Sequence, residues 1–305
     1  MEKIALLSVM LLLSMLSGCT GHEEPSEQQE KMKVVVTIMP QAEFVENVGG
    51  EKVDVIVMIP SGASPHTYEP TPSQLTEVAA AGLYFKVGSG VEFENAWMAD
   101  IEGVNPSMKI IDCSRGITLI EMENGHDEHE GDAQGAEEQE HAHTGLDPHI
   151  WNSPKNAIVM VQNIYEALVA EDPENAAYYK ANADYYMARL DALDSSILAT
   201  LENKTDGEFI VFHPAWGYFA HEYGLEQVAM EEAGKEPTAQ NLQRIIDEAD
   251  EHGIKVIFAS PQFSADSART VAGQIGGSVV LIDPLDKDYL RNMQQIANAF
   301  ASSME

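Results

Sequence analysis

Three of the ten histidines in this chain share one local context, which points to metal chemistry. His66, His149 and His213 each lie directly beside a proline, and so does Asp283. Proline restrains the backbone of a loop, which favours a preformed set of ligands. Three neutral imidazoles and one carboxylate are a suitable set for a four-coordinate zinc ion.

The predicted elements place these residues where a ligand could bind. His66 follows the second predicted strand, and His213 and Asp283 each end an apolar strand. Ligands of open α/β sheets bind outside the carboxyl ends of the strands. With His149 also in the N-terminal half, the four residues can meet only between the two halves. Taken singly, each has a simpler reading: a cleft histidine that is only hydrogen-bonded, or an Asp-Pro turn.

An alternation of strands and helices must position these side chains. Val-rich and Ile-rich runs predict strands at 33–38, 53–59, 83–87, 109–112, 209–212, 255–259 and 278–282, with helices between them. The fold class is therefore α/β, with two lobes of parallel-sheet β/α units joined by one long helix. The predicted boundaries are an N-terminal lobe at 32–172, a linking helix at 173–205 and a C-terminal lobe at 206–305.

The first residues have the pattern of a targeting segment. Lys3 precedes an apolar run at 4–16, which predicts a signal peptide over 1–18. The stretch Leu16-Ser17-Gly18-Cys19 resembles a lipobox, so Cys19 is the expected lipidation site and 19–31 the expected tether. An ordinary signal peptide with an incidental cysteine is the alternative. We expect membrane attachment only through this anchor, and an extracytoplasmic or periplasmic location.

Residues 121–143 interrupt the α/β pattern. They hold nine acids and four histidines, no Lys or Arg, and almost nothing apolar, which predicts a disordered loop. A solvating acidic insertion is one interpretation. The other is an auxiliary, weak metal-binding loop, since imidazole and carboxylate are both cation ligands. Its candidate ligands are His126, His129, His141 and His143.

Charge and cysteine content exclude several classes of protein. The chain of 305 residues has 17 Lys and Arg against 50 Asp and Glu, a formal charge of −33. A nucleic-acid partner is excluded because phosphate binding needs a cationic surface. Two cysteines exclude a disulfide scaffold and a multi-cysteine zinc site. Cys113 follows a strand and is expected to be packed, while His252 ends a helix and complements its dipole.

Several motifs together resemble one known family, the zinc/manganese solute-binding proteins of ABC transporters. The similarity runs in order from about residue 33 to 303. The motifs are Pro65-His66-Thr67-Tyr68-Glu69-Pro70-Thr71-Pro72-Ser73, Asp147-Pro148-His149-Ile150-Trp151, Val211-Phe212-His213-Pro214-Ala215-Trp216-Gly217-Tyr218-Phe219, Pro261-Gln262-Phe263-Ser264 and Ile282-Asp283-Pro284-Leu285. The resemblance implies two α/β lobes bridged by a long rigid helix, with the metal held between them by His66, His149, His213 and Asp283.

Details of the resemblance favour zinc over manganese. Manganese members tend to have Glu at the third ligand position, where this chain has His213. Zinc members often carry a loop rich in His and acids between the first two ligands, as at 121–143. This chain departs from the family pattern at two positions. Pro65 replaces the acid that some zinc members place before the first His, and Ser260 stands where many relatives have Glu.

The function predicted from these features is binding without catalysis. An anchored, monomeric receptor would capture Zn²⁺ outside the cytoplasm and deliver it to an ABC-type permease for import. The alternatives are a manganese receptor of the same family and a metal-dependent adhesin or storage protein. A secreted zinc hydrolase, with Glu69 or Glu236 as base, is less well supported because Asp283 would close the coordination sphere and no His-Glu-x-x-His occurs.

Overall fold

The structure is a computed structural model that describes residues 31–122, 145–204, 207–231 and 237–304. Within these ranges, residues 31–304 belong to one compact unit. No helix in the described ranges is both long and apolar enough to cross a bilayer. The predicted signal peptide, Cys19 and the histidines of the acidic loop lie outside the described residues.

Two four-stranded parallel sheets form the framework, and they have the same topology. The first contains β1 (Met32–Val36), β2 (Val53–Val57), β3 (Leu83–Lys86) and β4 (Lys109–Asp112) in the order β2-β1-β3-β4. The second contains β5 (Glu208–Val211), β6 (Glu226–Ala229), β7 (Val256–Ala259) and β8 (Ser278–Leu281) in the order β6-β5-β7-β8. All of these strand pairs are parallel, as the α/β class predicts.

Helices connect the strands and cover the sheets. They are α1 (Met39–Gly49), α2 (Pro72–Val78), α3 (Glu92–Val104), α4 (Pro154–Glu171), α5 (Ala176–Leu201), α6 (Gly217–Tyr223), α7 (Ala239–Glu251), α8 (Asp266–Gln274) and α9 (Tyr289–Ser303). The predicted long helix is α5, whose 26 residues pack against α1, α4 and α9. The expected pair of parallel-sheet units with one long helix is therefore confirmed.

One buried apolar cluster includes residues of both sheets. It contains Val35 of β1 and Phe209 of β5, both fully buried, together with Phe300 of α9. A second cluster covers the other face of the C-terminal sheet, where Ile257 packs with Val271 of α8. The shared core joins the sheets into a single packed body, while the lobe boundaries stay a prediction.

Two local features differ from the sequence-based expectations. Strand β6 was not predicted, because Glu226-Gln227-Val228-Ala229 contains only one strongly apolar, β-branched residue. The acidic loop was expected to begin at 121, yet Glu121 forms an antiparallel bridge with Leu146. That bridge brings the two described ends of the segment together. Cys113 is fully buried, as predicted.

Candidate metal centre

The structure brings His66, His149 and His213 together. One ring nitrogen from each lies within 4.8 Å of those of the other two. The Nε2 atoms of His66 and His213 are 3.3 Å apart, and those of His213 and His149 are 3.2 Å apart. The three residues that the proline context singled out therefore form one cluster, with His66 and His213 contributed from opposite halves of the chain.

Every one of these imidazoles has a carboxylate at its other nitrogen. The Nδ1 atom of His66 lies 2.9 Å from Glu92 Oε1, that of His149 lies 2.8 Å from Asp147 Oδ1, and that of His213 lies 3.0 Å from Glu231 Oε2. An ionised carboxylate only accepts hydrogen bonds, so each Nδ1 carries the proton. In the neutral imidazoles, each Nε2 then presents its lone pair to the centre of the cluster.

This arrangement has the dimensions of a tetrahedral metal site. Zinc–nitrogen bonds of 2.0–2.1 Å in tetrahedral geometry put two ligand nitrogens about 3.3 Å apart. The two measured Nε2–Nε2 distances are 3.3 and 3.2 Å. Converging lone pairs repel one another unless a cation lies between them. The carboxylates at Nδ1 fix the tautomer and the orientation of each ring, as carboxylates do around protein-bound zinc.

The side chain of Gln74 ties the loop that carries His66 to the end of β2. Gln74, in the first turn of α2, donates from Nε2 to the backbone carbonyls of Val57 and Met58, at 3.1 and 2.6 Å. Its Oε1 accepts from Thr71 N and from Tyr68 Oη, at 3.0 and 2.9 Å. Gln74 thus joins Thr71, the N-cap residue of α2, to the loop in which His66 lies.

The segment around His149 is tied to the C-terminal half of the chain. Asp147 Oδ1 accepts from both the backbone N–H and the Nδ1–H of His149, each at 2.8 Å. Two residues further on, Trp151 Nε1 donates to Pro284 O at 2.8 Å. Tyr218 Oη donates to Asp147 O at 3.1 Å. His149 is therefore held between the halves rather than by the N-terminal sheet alone.

His213 is positioned by the C-terminal sheet. Phe212 is the one residue between the end of β5 and His213. Its backbone N–H donates to Phe258 O in β7 at 2.7 Å. Glu231, which follows β6, donates its backbone N–H to Phe212 O at 2.9 Å. The same residue accepts from His213 Nδ1, so the pairing of β5 with β6 sets both the ligand and its carboxylate.

Asp283 is not among the close donor atoms of the cluster. Among the described residues, the group of donor atoms within 4.8 Å contains the three histidines and not this carboxylate. Asp283 Oδ1 accepts from Gln262 Nε2 at 2.7 Å and from the backbone N–H of Leu285 at 2.8 Å. The second of these is the turn contact that an Asp-Pro sequence favours. Its role as the fourth ligand stays a prediction.

The proton affinities of the histidines differ within the cluster. Burial lowers the pKa of His213 to about 4, although the hydrogen bond from its ring to Glu231 opposes this effect. Burial also disfavours the charged form of His66, but the hydrogen bond and negative charge of Glu92 outweigh it and raise the pKa above 6.5. In return, His66 lowers the pKa of Glu92 to about 2, against the effect of burial.

The sequence analysis missed the three carboxylates that contact the histidine cluster: Glu92, Asp147 and Glu231. Asp147 lies inside a motif that was noted only for its histidine. Glu92 is in the first turn of α3, where an acid is ordinary because it complements the helix dipole. Glu231 follows the unpredicted β6. Only Asp147 had a recognisable signal in the sequence, because it stands two residues before the candidate ligand His149.

The structure gives no support to Glu69 or Glu236 as a catalytic base, and it places His252 in a different group of side chains. Glu69, a candidate base for the hydrolase alternative, is exposed, and Glu236 lies outside the described residues. The described part of the chain has a second group of donor atoms within 4.8 Å, formed by Glu208, Glu248 and His252. His252 follows α7 and pairs with Glu208 at 3.1 Å.

Comparison with known proteins identifies the class of protein that this fold and site define. The model of the family described as "Zinc-uptake complex component A periplasmic" matches residues 34–303. The chain therefore belongs to this family of zinc-uptake solute-binding proteins.

Particular relatives agree with that assignment. The high-affinity zinc uptake system protein ZnuA of Bacillus subtilis is 33% identical, over 90% of this chain and 85% of the relative. A crystal structure of ZnuA matches with a TM-score of 0.82 and 36% identity, covering 90% of this chain and all of the other. The zinc-binding lipoprotein AdcA of Streptococcus pneumoniae is 28% identical over 94% of this chain, which spans only 56% of that longer protein.

Proposed function

We propose that the protein is an extracytoplasmic receptor that binds Zn²⁺ between its two sheets and delivers it to an ABC-type permease for import. The observation that carries this proposal is the convergence of three Nε2 atoms, each on a ring whose Nδ1 is held by a carboxylate. Neutral imidazoles suit zinc, whereas manganese prefers carboxylate and water oxygens. Zinc is the cargo here, not a catalytic cofactor.

A competition titration tests the proposal. The chain from residue 20 onward would be freed of metal and titrated with Zn²⁺, Mn²⁺ and Fe²⁺ against a chelator of known affinity. We expect one tight zinc ion per chain and weaker binding of the other two metals. Tighter binding of manganese would favour a manganese receptor. Zinc binding without loss of growth on zinc-limited medium after gene deletion would favour adhesion or storage.

We propose Asp283 as the ligand that completes the site. It follows β8 at the carboxyl end of the C-terminal sheet, and its Oδ1 is held by Gln262 and Leu285. Replacing Asp283 with Ala should cost less affinity than replacing one histidine, because water can take the fourth position on zinc. A closed coordination sphere also argues against water activation, so no hydrolysis of ester or peptide substrates is expected.

We propose attachment to the membrane through lipid on Cys19, with the folded body as a monomer. The basis is the lipobox-like sequence, and one relative is described as a lipoprotein. Cys19→Ala should move the protein to the soluble extracytoplasmic fraction or leave it unprocessed, with zinc binding intact. A protein that stays on the membrane after correct cleavage would contradict lipidation at this residue.

We propose that the acidic segment supplies weak auxiliary sites. Its four histidines and many carboxylates are suitable ligands, but its composition predicts disorder, and a disordered segment that loses conformational entropy on binding has a low affinity. Deleting residues 124–143 should therefore remove weak zinc equivalents in calorimetry and leave the tight one. Loss of the tight equivalent would assign a primary ligand to the segment.

A further inference from the structure

Phe263 differs from the other phenylalanines of the chain in its exposure to solvent. The chain has nine phenylalanines, and eight of them are at most 2% exposed. Phe263, in the loop between β7 and α8, is only partly buried. An aromatic ring that stays partly in water forgoes some of the stabilisation that full burial would give. The contacts of this ring are therefore the place to look for a reason for its position.

The ring of Phe263 packs against two histidines of the cluster. Its centroid lies 4.7 Å from that of His213, with the two ring planes 31° apart, and 5.8 Å from that of His66. The centroids of His66 and His213 are 4.8 Å from each other. The three rings thus form a compact triangle, in which two corners are the imidazoles whose Nε2 atoms are 3.3 Å apart. Phe263 therefore contacts the rings that present Nε2 to the ion.

The main chain around Phe263 belongs to the C-terminal half. Its backbone N–H donates to Ser260 O at 3.2 Å, which closes a turn directly after β7. Phe212 packs on its ring, with the centroids 5.9 Å apart. His66, in contrast, comes from the N-terminal half, and its side chain is 21% exposed, against 7% and 6% for the other two imidazoles. Phe263 thus links the sheet that carries His213 to the least enclosed of the three ligands.

We propose that Phe263 is a positioning residue for zinc binding, which holds the imidazole of His66 in place beside His213. The inference rests on the proposed function, because it assigns a role toward the same metal. A side chain whose rotamer is fixed by packing before the ion arrives loses less conformational entropy on binding. Glu92 holds His66 at Nδ1, and Phe263 adds an apolar contact from the other half of the chain.

Removal of the ring is the first test. Phe263→Ala should weaken zinc binding about tenfold, as loss of outer support around a metal ligand does, and chiefly through faster dissociation. Phe263→Tyr keeps the ring at a partly exposed position and should bind zinc like the wild type. Tyr165→Ala is the matched control, because it removes a partly buried aromatic ring from the central part of α4. It should leave the zinc affinity unchanged.

A double-mutant cycle separates an action through His66 from an action through Asp283. The second is conceivable because Gln262, the neighbour of Phe263, donates to Asp283 Oδ1 at 2.7 Å. In a His66→Ala background, Phe263→Ala should cause no further change in the dissociation constant of zinc. In an Asp283→Ala background, the loss of about tenfold should persist. Any loss that persists in the His66→Ala background would overturn the proposal.

Competition with chelators of graded affinity gives the dissociation constants, and stopped flow gives the dissociation rates. Urea unfolding of the metal-free variants shows whether each one is folded, and Phe263→Leu, which lacks the planar ring, takes the place of Phe263→Ala if the alanine variant is not. An unchanged affinity without the ring, or an equal loss in Tyr165→Ala, would also overturn the role of Phe263. If the wild-type chain binds no zinc tightly, the proposed function itself fails, and this outcome is recognised before the variants are compared.

Discussion

Two clusters of potential metal donors lie in the described part of the chain, and they differ in the partners of their donor atoms. In both, three donor atoms lie within 4.8 Å of one another. The first cluster comprises His66, His149 and His213, and the second comprises Glu208, Glu248 and His252. Proximity alone therefore does not distinguish them.

The distinction lies in what satisfies each donor. In the second cluster the acids lie among the donors themselves and form ion pairs there: Glu208 Oε2 lies 3.1 Å from His252 Nδ1 without a hydrogen bond, and Glu248 pairs with Arg244 at 3.5 Å. In the first cluster the acids are outside the ring of donors and bind Nδ1, so each neutral ring directs its Nε2 lone pair toward the other rings, where one cation can bind all three. The outer hydrogen bonds, rather than the density of ligands, distinguish the first cluster, which is the proposed binding site.

The largest expected effect is the loss of tight zinc binding from the first cluster alone. His66→Ala with His213→Ala removes two ligands contributed from opposite halves of the chain and should weaken zinc affinity by several orders of magnitude. Glu208→Ala with His252→Ala should leave it unchanged. Equilibrium titration measures both, and thermal unfolding with excess zinc is a second readout, because a ligand that binds only the native state stabilises it. An unchanged affinity and thermal shift in the histidine double variant would contradict the site.

A smaller effect is expected from the outer carboxylates. Asp147→Asn keeps the size of the side chain but replaces the ionised acceptor at His149 Nδ1, which should lower zinc affinity about 10- to 100-fold. Glu208→Gln makes the same chemical change in the second cluster and is the matched control. Urea unfolding of the metal-free variants would separate lost affinity from lost stability. Equal zinc affinities in the two variants would remove the distinction between the clusters.

The first cluster was largely predictable from the sequence, but its outer carboxylates were not. Prolines and strand ends marked His66, His149 and His213, because parallel strands with carboxyl ends at one edge bring such loops together. Glu231 was missed together with β6, a four-residue strand that begins with two polar residues. Its position depends on pairing with β5, and this is a tertiary contact that no local pattern encodes.

The contacts of Asp283 show the same limit. Its Oδ1 is bound by Gln262, which is 21 residues away, and by Leu285, two residues away. Only the nearer contact follows from the Asp-Pro turn that the sequence indicates. Likewise, the opposite pKa shifts of His66 and His213 come from unequal burial and from different carboxylates, so the sequence predicted one reference value for both.

A third prediction uses this difference in pKa. Below its raised pKa, His66 binds a proton that zinc must displace, whereas His213, with a pKa of about 4, is already neutral above about pH 5. Zinc affinity should therefore fall as pH falls through the pKa of His66, by up to about tenfold per pH unit, with His213 contributing nothing to the slope above pH 5.

Competition titrations between pH 5 and 8 measure that slope. Glu92→Gln removes the main group that raises the pKa of His66, so the bend in the pH profile should move to lower pH. A profile whose bend stays at the same pH in this variant would show that another group releases the proton. The second cluster should leave no trace in the profile, which Glu208→Gln tests.

The smallest expected effect concerns the second cluster and stability without metal. Burial raises the pKa of Glu208, and the like charges of Glu226, Glu248 and Glu251 add to the shift, while the charge of His252 opposes it. A carboxyl whose folded pKa lies above its unfolded value destabilises the native state when ionised, and this cost disappears below both values.

Glu208→Gln should therefore raise the free energy of unfolding in urea by less than about 1 kcal/mol at pH 8, and the gain should fade as pH falls toward 4.5. Because Glu208 is also paired with His252, a loss of stability at pH 8 would mean that the ion pair outweighs the cost of burial. Loss of a tight zinc equivalent in this variant would have a larger consequence. It would show that three close donors bind metal without outer carboxylates, and the distinction between the two clusters would no longer hold.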